Sequence, residues 1–114
     1  MAERILVVDD ELLILTAVER ALSKIGYEIV TAQDTAELKV AYGKGPFDLV
    51  ITDVYMKEET WESIVEKVRE GSPEVKVLRM SGAANRDDSL NFIEKPFSII
   101  ALRKRVKDIL NGPS

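Results

Sequence analysis

The 114-residue chain is predicted to fold as a single α/β domain, a doubly wound parallel sheet of five strands with helices on both faces. Three observations carry that prediction. Short apolar runs rich in β-branched residues alternate with segments of helical period along the whole chain. The runs Ile5-Leu6-Val7-Val8 and Leu49-Val50-Ile51-Thr52 do not alternate with polar residues, as expected of strands buried on both faces. Strands separated by helices of this length connect through right-handed crossovers and lie parallel.

The first strand, Ile5–Val8, ends in Asp9-Asp10. A helix follows over Glu11–Ile25, with Leu15, Val18, Leu22 and Ile25 on one face and Gly26 as its left-handed cap. The second strand is Glu28–Thr31. Asp34-Thr35-Ala36-Glu37 reads as a capping box opening a helix to about Tyr42. After the turn Gly43-Lys44-Gly45-Pro46, the third strand runs over Leu49–Thr52 and delivers Asp53 at its end. The third helix, Thr60–Glu70, carries Trp61, Ile64, Val65 and Val68 inward and stops at Gly71-Ser72-Pro73. The fourth strand, Val75–Met80, ends in Ser81, and the fifth, Phe92-Ile93, in Glu94-Lys95-Pro96. Ser98 caps a last helix carrying Leu102, Val106, Ile109 and Leu110 inward, closed by Gly112-Pro113. Only eight residues, Gly82 to Ser89, separate the fourth strand from the approach to the fifth. A parallel crossover with its helix takes at least about 10–12 residues. The fourth crossover helix is therefore expected to be one turn or absent, and the 82–89 segment to be the most mobile part of the chain.

Composition excludes several classes. With no Cys and no His, the chain has no disulfide, thiolate site, His-based triad or His-ligated zinc, and cannot carry a phosphohistidine of its own. A net charge of -4 argues against direct nucleic-acid binding. There is no long apolar run and no signal-peptide pattern, so no membrane insertion and a cytoplasmic location are expected.

The chemistry lies at the strand ends. Ligands and reactive groups of open α/β sheets collect outside the carboxyl ends of the strands, at the point where strand order reverses. Asp9, Asp10 and Asp53 are predicted to meet there. Three carboxylates without a cation repel one another, and Mg²⁺, which binds through one or two carboxylates plus waters and a phosphate, resolves that repulsion. Lys95 supplies a point charge for a phosphoryl oxygen and Ser81 a hydrogen bond. Any one of these residues alone reads more simply, as a turn acid, a cap hydroxyl or a solvated lysine. The ordered set overturns that reading.

That set resembles the receiver domain of two-component response regulators, over nearly the whole chain. The matching residues are Asp9-Asp10, Asp53, Met56, Ser81, Phe92 and Lys95-Pro96-Phe97. The resemblance implies a flavodoxin-like fold with strand order 2-1-3-4-5, one receiver domain over 1–114 with its core at about 3–111. It implies that Asp53 accepts a phosphoryl group from the phosphohistidine of a histidine kinase or a histidine phosphotransfer domain. It implies Mg²⁺ held by Asp10, Asp53 and the main-chain carbonyl of Tyr55, with Asp9 assisting through water. Ser81 and Phe92 are the implied switch residues, and the Lys95–Pro96 bond is expected cis. The resemblance implies that the chain catalyses its own phosphorylation and slow dephosphorylation and is not otherwise an enzyme. The run Met80-Ser81-Gly82 and the short approach to Phe92 most resemble receivers fused to hybrid histidine kinases. The short fourth crossover implies a monomer that docks on its phosphodonor through the first helix.

Two positions depart from the family pattern. Lys57 stands where the family has Pro after the Met, and Trp61 stands where it has Gly. The alternative reading is therefore a pseudo-receiver, an unphosphorylated protein-interaction module. A flavodoxin would share the fold but needs a hydroxyl- and glycine-rich phosphate loop after the first strand, where Asp9-Asp10-Glu11 would repel a phosphate unless a metal is present. A dehalogenase-type phosphatase needs an acid two residues beyond its nucleophile, and here that residue is Tyr55.

Overall fold

A computed structural model of the chain describes residues 2–82 and 91–112. Its strands are β1 (Arg4–Val8), β2 (Glu28–Ala32), β3 (Leu49–Asp53), β4 (Lys76–Ser81) and β5 (Phe92–Glu94). Its helices are α1 (Leu12–Ser23), α2 (Thr35–Tyr42), α3 (Trp61–Gly71) and α4 (Ile99–Asn111). The strands form one sheet in the order β2-β1-β3-β4-β5, and every neighbouring pair is parallel. This is the predicted order. The expectation that the fourth crossover helix is one turn or absent, and most of the segment expected to be mobile, fall outside the described residues.

Alternation along each strand divides the core in two. Ile5, Val7, Ile51, Leu78 and Met80 face Leu15, Val18 and Leu22 of α1 and Leu102 and Val106 of α4. Leu6, Val8 and Val50 face Leu38 of α2 and Ile64, Val65 and Val68 of α3. β1 and β3 are sealed on both faces, which is why their sequences are unbroken apolar runs. Each fully buried Leu, Ile or Val contributes roughly 1.5–3 kcal/mol, so the interleaving holds the sheet and both helical layers together.

Two helices begin at the caps expected from the sequence, Asp34 and Ser98, and α3 begins one residue later than predicted because Thr60 is its cap. Asp34 accepts from the Glu37 N–H at 2.9 Å, Thr60 from the Ser63 N–H at 3.1 Å and Ser98 from the Ala101 N–H at 3.0 Å. The box at Asp34 is offset by one residue. The Glu37 carboxylate accepts from the Gln33 N–H at 2.8 Å rather than from that of the cap itself. α1 starts one residue later than predicted, because Glu11 occupies the cap position and makes no side-chain cap hydrogen bond. Gly26 leaves α1 at φ +105°, the left-handed region in which glycine is favoured.

Candidate functional site

The parallel register brings the strand ends level. Val8 lies opposite Thr52, Asp53 opposite Met80, and Ser81 opposite Glu94. The residues that follow these ends therefore share one edge of the sheet. Asp9 leaves β1 fully buried, its N–H donating to the Ala32 carbonyl at 3.3 Å. Its Oδ1 accepts from the Glu11 N–H at 2.9 Å, which turns the chain into α1. Asp53 ends β3 with 7% of its surface exposed. Its Oδ1 accepts from the Tyr55 N–H at 3.1 Å, and the next residue, Val54, donates its N–H to the Met80 carbonyl at 2.9 Å.

Lys95 closes the site. Its N–H donates to the Ser81 carbonyl at 2.8 Å, so β5 delivers the lysine beside the buried Ser81. Its Nζ donates to Asp9 Oδ2 at 2.7 Å and to Asp53 Oδ2 at 3.4 Å, and lies 3.7 Å from Glu11 Oε1. The Lys95–Pro96 bond is cis, as expected.

The structure brings together Asp9, Asp10, Asp53, Ser81 and Lys95, all named from the sequence. Tyr55 joins them through its main chain, while its side chain is largely exposed. Phe92 is buried but faces the α3 layer, where the Arg79 guanidinium lies over its ring. Sequence reasoning places Glu11 at the start of a helix and beside the acid pair but not in the metal site, and the structure adds it to the cluster as a fourth carboxylate. Its position directly after the acid pair was the available signal.

Carboxylate oxygens of Asp9, Asp10, Glu11 and Asp53 all lie within 4.8 Å of one another. Burial pushes the Asp9 carboxyl above its ordinary range, against the pull of its hydrogen bonds from Lys95 and the Glu11 N–H, and the Asp53 charge pushes the same way. For Lys95, burial acts downward. The hydrogen bond to Asp9 and the attraction of Asp9, Asp53 and Glu11 more than reverse it, so the ammonium is held above the usual lysine range. The causes differ: burial dominates at Asp9, whereas the acidic neighbours dominate at Lys95. The Lys95 ammonium is paired with Asp9, Glu11 and Asp53, and the cluster of four carboxylates around it leaves surplus negative charge. An all-oxygen donor set with that surplus fits a hard divalent cation.

A family model for the response regulator receiver domain matches residues 5–107. The chain belongs to that family. NtrC of Azospirillum brasilense, described as a DNA-binding transcriptional regulator, is 30% identical over 120 residues, which cover 97% of this chain and 25% of that protein. The probable transcriptional regulator ycf27 of Cyanophora paradoxa is 33% identical over 115 residues, 95% of this chain and 48% of that one. This receiver domain thus spans a quarter to a half of the length of those regulators. Among solved structures, the receiver domain of the hybrid histidine kinase CckA matches with a TM-score of 0.79 at 33% identity, over 94% of this chain and 98% of that one. A response regulator from Thermotoga maritima matches with a TM-score of 0.80 at 29% identity, over 98% and 100%. Among the described residues no helix is long and apolar enough to cross a membrane.

Proposed function

We propose that this receiver is an active phosphoacceptor, taking a phosphoryl group on Asp53 in a Mg²⁺-dependent transfer from a phosphohistidine. The observation that carries the reading is the placement of the Lys95 ammonium, 2.7 Å from Asp9 and 3.4 Å from Asp53, over the end of β3. A structural ion pair would need only one of those acids. An ammonium shared between the acceptor and its neighbour is placed to follow a phosphoryl oxygen once Asp53 carries one.

Asp10, Asp53 and the main-chain carbonyl of Tyr55, backed by Asp9, are the groups that would hold Mg²⁺. When bound, the ion neutralises charge on the phosphoryl oxygens. The chain's own residues do the rest. An Asp53 carboxylate oxygen attacks phosphorus in line, forming the O–P bond. The P–N bond to the imidazole breaks, and its electron pair stays on the departing ring nitrogen. Lys95 shifts from the carboxylates to a phosphoryl oxygen, and the Ser81 hydroxyl donates to another. The histidine must come from another protein or another part of a longer chain, because this sequence has none.

A partner surface accompanies the site. Leu12 and Leu13 are 61% and 85% exposed at the start of α1, and Ile99 and Ile100 are 52% and 79% exposed at the start of α4. Both helices begin at the strand ends that carry Asp9 and Lys95, and α1 packs beside α4. Apolar side chains around an acidic site suit the helical surface of a histidine kinase or phosphotransfer domain, met by this chain as a monomer. In the test, a ³²P-labelled histidine phosphotransfer protein is mixed with this chain and Mg²⁺. The label is expected to move to this chain, and Asp53→Asn to abolish the movement. Undiminished transfer to Asp53→Asn would exclude Asp53 as the acceptor.

A further inference from the structure

Arg79 is a charged residue in a strand whose other positions on the same face are Val77 and the fully buried Ser81. Its guanidinium carbon lies 5.2 Å from the centre of the Trp61 ring and 5.8 Å from that of Phe92. Both are within the roughly 6 Å over which a cation is held by an aromatic face. Arg79 and Phe92 are also direct neighbours in the β4–β5 register. The planar, weakly hydrated guanidinium stacks on rings where an ammonium remains hydrated.

The three side chains join elements that leave the site separately. Trp61 is the first residue of α3, reached from Asp53 through residues 54–60. Arg79 stands two residues before Ser81, so both side chains project from one face of β4. Phe92 stands three residues before Lys95. The main chain at Phe92 is pinned on its own account. The Asn91 carbonyl accepts from the Arg79 N–H at 2.9 Å, the Asn91 side chain donates to the Val77 carbonyl at 2.8 Å, and the Phe92 carbonyl accepts from the Arg105 guanidinium. With the backbone fixed, rearrangement at Phe92 is a matter of its ring.

We propose that Arg79 is a positioning residue that ties the Phe92 ring to Trp61, so that the arrangement of the ring is felt at the start of α3. The coupling itself rests on the stack alone. Its response to phosphorylation rests on the function proposed above. The event at Asp53 then reaches α3 along the loop that follows Asp53 and also across β4 through the guanidinium.

Trp61 is the only tryptophan in the chain, so its fluorescence reports this stack. The first measurement needs no phosphoryl group. Acrylamide quenching of Trp61 is compared in the full chain for wild type, Phe92→Leu, Arg79→Met and the double variant. Phe92→Leu is expected to change quenching in the wild-type background, and the change to fall about twofold or more in the Arg79→Met background. An equal change in both backgrounds overturns the proposal. Arg79→Lys, which keeps the charge without the planar face, is expected to weaken the coupling as well, and full coupling with Lys would overturn stacking as its basis. The second measurement adds beryllofluoride and Mg²⁺, and the Trp61 response is expected to shrink by a similar factor in Arg79→Met while a small acyl phosphate still modifies Asp53. Loss of that modification in Arg79→Met alone would place Arg79 in the transfer chemistry and overturn the positioning role. Absence of modification in wild type would instead remove the proposed function, leaving the quenching comparison to decide the role of Arg79.

Discussion

Tyr42 shows how a residue remote from the site sets stability. Its hydroxyl is buried without a hydrogen-bond partner among the described residues, and burial, with the charges of Glu59 and Glu70, pushes its pKa up to about 12. An acid raised above its ordinary value favours the folded state fully below the unfolded pKa of 10.0 and loses that contribution as pH rises toward 12. Lys95, also raised, contributes below its ordinary 10.5 and loses that contribution as pH rises through its folded value. Wild type should therefore lose stability steadily above pH 10. Tyr42→Phe should flatten part of that loss and, by removing an unsatisfied hydroxyl, raise stability near neutrality by up to about 1 kcal/mol; urea denaturation across this pH range checks both. At the site, the exposed Tyr55 side chain stands two residues past Asp53, so Tyr55→Ala is expected to change the rate of dephosphorylation more than that of phosphorylation. Time courses of both reactions check it, with equal rates in both proteins as the contrary result. At this scale Asp9, Asp53 and Ser81 were legible because each directly follows a strand-forming run, and Lys95 because it follows Phe92-Ile93 after one intervening residue, Glu94, and precedes Pro96. Arg79 was not. A charge within a strand reads as a solvated side chain, and only the tertiary fold brings Trp61 and Phe92 to it.

The elements were legible in type, and their ends followed hydrogen bonds that periodicity does not reveal. β1 begins one residue early, at Arg4, because pairing with β2 starts there, opposite Glu28, and the Arg4 carbonyl accepts from the Asp48 N–H at 2.8 Å. β3 extends to Asp53 because pairing with β4 continues to Met80. Capping was the most readable signal, since a Ser, Thr or Asp before an apolar-periodic run has a local mechanism. Thr60→Ala should cost about 1 kcal/mol in chemical denaturation, the usual range for a lost N-terminal cap. It should also alter Trp61 fluorescence, since Trp61 is the next residue. Unchanged stability would mean that the Ser63 N–H finds an equivalent partner.

At the scale of the whole molecule, the parallel sheet with helices on both faces was legible from the alternation of strands and helices, whereas the order 2-1-3-4-5 came from the family resemblance, since more than one doubly wound order satisfies that alternation. The partition of the core into two clusters also followed from the strand period. The whole fold also gathers four carboxylates into one cluster, three of them paired with Lys95, and that imbalance should be visible in its stability. A cation binding only the native state stabilises it by about 2.7 kcal/mol when present at 100 times its Kd. Mg²⁺ is expected to raise the melting temperature, chelation to reverse the rise, and Asp10→Asn to reduce it. A melting temperature indifferent to Mg²⁺ would contradict the site. The most direct measurement of the central claim is peptide mass spectrometry after incubation with a small acyl phosphate and Mg²⁺. The predicted result is the gain of one phosphoryl group located on Asp53, absent without Mg²⁺ and absent in Asp53→Asn. An unmodified Asp53, or a phosphoryl group carried on another residue, would contradict the account.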